Sequence, residues 1–438
     1  MNYIPAIYFS ILTLILFKKR GLDACTYISF IYTMTSVLAV GIDIMGLNPN
    51  LVSFSSLLPT ILYCLLLTLF IIPAAIIDFN SYEGLKFCSQ KFLRGLNYVY
   101  FFSFVCYIVA YSGDLHFILT YGDFGELKSL VYDGDGYQLK KYPAIIELVL
   151  FPVRVLVNSS VIMMFVFLFN LTFLKEKWWI NTMAVIGSTT VIVVGILQVD
   201  RSATFFWVLI TGLAVSMFWN QMSAKIKSVA VGFSTVLVLV VAAYALSVTK
   251  DRFEERDGGT EGGIVLYLGQ PYYYFCELWD YYPAPDGITT KTLFPTLHKY
   301  VFKDCDGGTA YQVEMGLKSN MDLGVFYTHL GSFMLSAGNF GPFMISFVFL
   351  LLFYLLYKDS EIFHKVDNSV VRCFPFEKLI IMFFLLCIPV VGCITYYYQN
   401  YYVETVTYII VALLYFFKDE ETKILNMQKK DSKHLTHQ

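Results

Sequence analysis

The sequence predicts an all-α, polytopic integral membrane protein of about eleven transmembrane helices with one large external loop. Three observations lead there. Hydrophobic residues make up 57% of the chain and charged residues only 15%, whereas soluble domains carry about a quarter charged residues. Mean hydropathy is +0.62. Apolar runs near the roughly 20 residues that cross a bilayer recur at 3–17, 24–46, 56–77, 97–113, 144–174, 178–199, 203–219, 229–248, 339–357, 379–395 and 401–417.

In chain order, the first run ends at Lys18-Lys19-Arg20, so its basic flank lies on the wrong side for a signal peptide. Basic residues then occupy every second connection: Lys86, Lys91 and Arg94; Lys175 and Lys177; Lys225 and Lys227; Lys358, Lys365, Arg372 and Lys378. Positive charge favours the cytoplasmic side. The N-terminus is therefore expected outside and the C-terminal tail inside. The alternate connections, 47–55, 114–142, Asp200-Arg201, 250–338 and 396–400, are expected outside. The net charge of −2 averages the two sides and says nothing of partners. Most cysteines sit in apolar runs and act as small hydrophobes. Cys276 and Cys305 share the long loop, where either a disulfide or two separate thiols would be compatible. No internal repeat is visible, so residues 1–438 read as a single integral-membrane domain.

The polar stretch 250–338 is expected to cap the functional site, because structureless loops of such length are uncommon. It opens on KDRFEERDGGTEGG, passes through YLGQPYYYFCELWDYYP and continues as KTLFPTLHKYVFKDCDGG. Met321–Ala337 is apolar enough to count as another span, but crossing there would turn the later basic connections outward. A re-entrant segment that returns at Gly338-Asn339-Phe340-Gly341-Pro342 resolves the conflict and places Tyr327, Thr328 and His329 beside a wet site.

Several residues in this layout carry chemistry. Arg154 lies inside an apolar run behind Pro152, and a charge at mid-bilayer costs about 2.5–3.5 kcal/mol unless it faces a partner or water. Glu147 is seven residues earlier and Asn158 four later, so all three share one helical stripe. An internal Arg–Glu contact is the plain alternative to an anion site here. Arg201 stands at a helix start on the outer side, where backbone N–H groups and a guanidinium fork suit a diphosphate; an interfacial anchor is the alternative. Arg252 and Arg256 flank two glutamates just beyond a span and are the other candidate diphosphate contacts. His298 and His329 are the two external-side candidates for a general base. Tyr272, Tyr273, Tyr274 and Trp279, with Tyr327, form candidate sugar-stacking surfaces, or else an interfacial aromatic girdle. The sequence has no HExxH, P-loop, GxSxG or metal-ligand cysteine spacing, so neither a metal nor a cofactor is expected.

The layout resembles the bacterial O-antigen polymerase family, the oligosaccharide repeat-unit polymerases. The residues that carry the resemblance are Asp200-Arg201-Ser202 at an outer helix end, Tyr267-Leu268-Gly269-Gln270-Pro271 opening the aromatic run, Asn320, and Ser336-Ala337-Gly338-Asn339-Phe340-Gly341. Where family members often carry an aspartate before Phe-Gly, this chain has Asn339. The resemblance implies a glycosyltransferase of the bacterial cytoplasmic (inner) membrane serving O-antigen, capsule or exopolysaccharide biosynthesis. It would move a growing glycan from its polyprenyl-diphosphate carrier onto another carrier-linked repeat unit. The implied partners are lipid-linked donor and acceptor, membrane lipid and a chain-length regulator, with no nucleic acid. An O-antigen-ligase-like transferase and a lipid-linked oligosaccharide flippase are the rival functions.

Overall fold

The computed structural model describes residues 1–77, 82, 84–121, 126–127, 142–232, 235, 239, 259–283, 287–321, 323, 327–358, 362–366, 369–417 and 423–426. The described chain is predominantly helical, as a membrane protein of this composition requires. Among the described residues six stretches are long and apolar enough to cross a bilayer, or seven if the bent pair Ala144–Val157 and Ile162–Leu174 forms one span. Most of the remaining expected runs are helices too short or too charged for that description. Tyr3–Arg20 ends on three basic residues, and Phe376–Val391 and Tyr401–Phe416 have 16 residues each. The run at 229–248 lies mostly outside the described residues.

The helices that matter for the site are α1 (Tyr3–Arg20), α2 (Ala24–Ile44), α3 (Leu57–Ile76), α4 (Gln90–Thr120), α5 (Ala144–Val157), α6 (Ile162–Phe169), α7 (Trp178–Ser188), α8 (Thr190–Leu197) and α9 (Ser202–Phe218). After them come α10 (Gly259–Tyr281), α11 (Gly308–Ser319), α12 (Thr328–Ala337), α13 (Gly341–Lys358), α14 (Phe376–Val391) and α15 (Tyr401–Phe416).

The helical expectation holds, and the structure adds one small sheet to it. Four short strands, Gly84–Phe87 (β1), Ile362–Val366 (β2), Ser369–Pro375 (β3) and Lys423–Asn426 (β4), form a sheet in the order β2-β3-β1-β4. β1 runs parallel to β3 and antiparallel to β4. The strands come from two connections that the sequence marks as basic and from the C-terminal tail expected on the same side. The sheet therefore gathers those connections at one end of the bundle. Arg94 pairs with Glu176 at 2.9 Å, bringing a third connection there. Arg20 donates to the carbonyls of Ala75 and Ile77 at 2.6 and 3.2 Å, bringing the first.

Much of the stretch 250–338 has regular structure. Residues 259–281 are a 23-residue helix, and 308–319 and 328–337 are helical as well. α10 packs tightly on α2. A Cβ on Gly269 would stand 2.7 Å from the Ala39 nitrogen and from the carbonyl of Leu38, so only glycine allows this approach. The Tyr273 hydroxyl donates to the Ala39 carbonyl at 2.8 Å and accepts from Asn2 at 3.0 Å. Tyr272 shares a 2.7 Å hydrogen bond with Thr60. Each tyrosine buries its ring because its polar tip finds a partner inside.

The chain reverses between α12 and α13. A Cβ on Gly341 would collide with the carbonyl of Phe333, and Phe70 touches rings from both arms, His329 and Phe333 on one and Phe349 on the other. Gly338, at φ 59°, makes the turn that side chains resist.

Candidate functional site

A second, smaller core lies where α4, α5 and α8 meet, and beside it opens a cavity of about 600 Å³. Tyr107, Tyr111, Tyr142 and Tyr402 provide aromatic walls; Glu147, Arg154, Asn158 and Gln198 provide the polar ones. Tyr111 is 21 residues along α4 from Gln90, which itself bonds to Glu176 at the sheet end. At 1.5 Å per residue that separation is about 30 Å. The cavity therefore lies toward the end away from the basic connections.

Irregular backbone surrounds it. α4 breaks at Tyr111, whose φ and ψ are −107° and 19°. α5 and α6 meet at 66° across residues 158–161. The α8–α9 turn is tight: Asp200 N–H donates to Gly195 at 2.7 Å, and buried Val199 is held at φ 49°. A β-branched residue rarely adopts that conformation, and such strain gathers at functional sites. Within a membrane, broken helices are tolerated where they line a cavity or are buried in protein.

Arg154 is the centre of the site. It pairs with Glu147 at 2.6 Å through Nη1, with a second contact of 3.2 Å from Nη2. Its Nε donates to the Tyr111 hydroxyl at 3.0 Å, and Nη2 reaches the same oxygen. Asn158 donates to the Arg154 carbonyl at 3.1 Å. The Glu147–Arg154–Asn158 stripe is thus a contiguous polar wall. The internal Arg–Glu contact and the open cavity are both present. The pair is only partly shielded, with the side chains 39% and 32% exposed, so neither charge is sealed from an incoming ligand.

The other candidate residues are spread more widely. Arg201 begins α9 with its guanidinium 5.2 Å from the centre of the Tyr267 ring. Asp200 already takes the Ser202 N–H at 2.9 Å and its hydroxyl at 2.5 Å, so that helix start does not offer all its donors. Arg252 and Arg256 lie outside the described residues. His298 holds Asp304 through Nδ1 and Thr290 through Nε2, each at 2.8 Å. The hydrogen bond from His298 lowers the Asp304 carboxyl below its ordinary range. His329 is buried in α12, with Nδ1 2.8 Å from the Gly392 carbonyl and Phe70 on its ring.

The sugar-stacking expectation for the aromatic run is corrected in part. Tyr272, Tyr273 and Tyr327 are buried, at 2%, 0% and 2% exposure, and present no face to a ligand. Tyr274 and Trp279 are half-buried and pack against the main core. Cys276 and Cys305 are free thiols. Tyr107, Tyr111, Tyr142, Gln198 and Tyr402 have no sequence signal of their own beyond a tyrosine-rich composition. Among the described residues no cluster of His, Cys, Asp and Glu could hold a metal ion.

Neither models of protein families, nor curated proteins, nor solved structures match the chain.

Proposed function

We propose that the protein is a glycosyltransferase that polymerises polyprenyl-diphosphate-linked oligosaccharide repeat units at the outer face of a bacterial cytoplasmic membrane. One observation carries the reading: a cavity of about 600 Å³ that combines an arginine with four tyrosine walls, far from the basic connections. Its size falls within the range of small-molecule sites, about 300–1,000 Å³. Tyrosine faces suit the C–H patches of sugars, and a guanidinium suits phosphoryl oxygens.

In the proposed reaction an acceptor hydroxyl oxygen bonds to the anomeric carbon of the donor. The bond from that carbon to the carrier diphosphate breaks, and the diphosphate leaves with the electron pair. Arg154 stabilises the charge that develops there. The hydroxyl proton passes to a base. His298 suits that role better than His329: its Nδ1 meets Asp304 and its Nε2 meets the Thr290 hydroxyl, through which a proton can be relayed, whereas His329 is sealed in the core.

The broken helices favour a second reading. Discontinuous spans around a polar site also mark transporters, so a flippase for the same lipid-linked glycan is the rival. Deleting the gene separates the two. A polymerase deletion leaves cells displaying single repeat units; loss of every surface repeat unit would instead indicate the flippase or a ligase.

The orientation has its own test. In a background without Cys106 and Cys305, the two cysteines that are not buried, Val301→Cys and Lys177→Cys are compared. An impermeant thiol reagent is expected to label position 301 from outside and to leave position 177 unlabelled. Both positions are exposed, and the reverse pattern would move the cavity to the cytoplasmic side.

A further inference from the structure

The cavity wall formed by Tyr402 leads to a cation that the sequence does not single out. The Tyr401 and Tyr402 rings lie 4.1 Å apart, and the Lys299 ammonium stands 3.9 Å from the centre of the Tyr401 ring. Lys299 and Arg154 both act electrostatically on Tyr402, Lys299 from the 298–302 turn and Arg154 from α5. The Tyr401–Tyr402 pair thus connects Lys299, which stands just behind the cavity lining, to the wall that Arg154 shares. Nearby, Arg154 is matched by the Glu147 carboxylate, and Glu404 is held by neutral donors, the Tyr408 hydroxyl and the Thr296 N–H. Lys299 has no carboxylate partner among the described contacts; its ammonium makes one long bond, 3.4 Å, to the Asp306 carbonyl.

We propose that Lys299 and Arg154 together form a two-cation site for the phosphoryl groups of a glycosyl phosphate, with the tyrosine walls facing its sugar. The proposal deepens the function above and rests on it for the glycan. Glu147 occupies the guanidinium fork in the geometry a phosphate would take, as a carboxylate stand-in that an incoming dianion displaces. Lysine suits the outer position because its point charge on a flexible stem can follow the ligand. An ammonium resting on a ring loses little on moving, since an exposed cation–π contact is weak.

The test uses purified full-length protein and radiolabelled inorganic pyrophosphate, which needs no knowledge of the sugar. Lys299→Ala and Arg154→Ala are each expected to weaken binding at least tenfold, Lys299→Arg to retain most of it, and Glu147→Gln to tighten it several-fold. Thermal stability of each variant is measured alongside. Undecaprenyl diphosphate in vesicles is expected to displace the probe, and phosphatidylglycerol vesicles of equal charge are not. Three results would overturn the proposal: no pyrophosphate binding by the native chain, unchanged binding by a stably folded Lys299→Ala, or displacement by phosphatidylglycerol alone. Failure of the polymerase reading is distinguishable, because the pyrophosphate site would persist in a protein that makes no polymer.

Discussion

Arg154→Lys is expected to abolish visible polymer while leaving the protein in the membrane. The guanidinium serves Tyr111 and Glu147 from different edges at once, which a single ammonium does not reproduce. Hydrogen bonds to charged groups contribute about 1.5–3 kcal/mol each. Losing two from the transition state slows turnover about a hundredfold or more. A charge-neutral pair, Arg154→Met with Glu147→Gln, distinguishes chemistry from packing. If the ion pair only holds α5 in place, the double variant restores polymer length at normal abundance. If Arg154 acts on the substrate, polymer stays absent although abundance recovers. Glycan ladders on gels, normalised to membrane abundance, read both.

The second large effect concerns the fold. Gly269→Val is expected to remove most folded protein from the membrane. The atoms its Cβ would meet, 2.7 Å away, are backbone of α2, which cannot rotate aside as a side chain can. Overpacking a core costs about 1–3 kcal/mol, and a clash with helix backbone belongs at the upper end. Gly95→Val is the control, because a Cβ there meets nothing within 4 Å. Equal thermal stability of the two variants would mean that α2 and α10 separate without cost, contrary to the close packing described above.

The apolar helices and the Arg154 stripe were legible in the sequence because both rest on short-range spacing. Glu147, Arg154 and Asn158 stand at intervals that place them on one helical face wherever that helix goes. The nature of 259–281 was not legible. Its tyrosines, glutamates and Pro271 read as a polar loop, yet Thr60 and the Ala39 carbonyl satisfy their hydroxyls inside the protein. Tertiary partners decide whether a tyrosine is a surface or a core residue. The sheet was hidden for a related reason. Gly84 and Cys373 pair across about two thirds of the chain's length, and strands as short as β1 and β4 leave little periodicity to read. Tyr107, Tyr402 and Lys299 escaped notice because only the fold brings their distant segments together. The resemblance pointed to Arg201, whereas the open cavity is built around Arg154.

The most direct measurement is reconstitution. Purified protein in liposomes would receive a chemically defined repeat unit on undecaprenyl diphosphate, with no nucleotide sugar and no other protein. The expected result is a ladder of glycans on the carrier, with one undecaprenyl diphosphate released for each linkage formed and neither product appearing with Arg154→Ala. Movement of the lipid-linked unit between leaflets with no new glycosidic bond would contradict the polymerase reading and leave the cavity to a transporter.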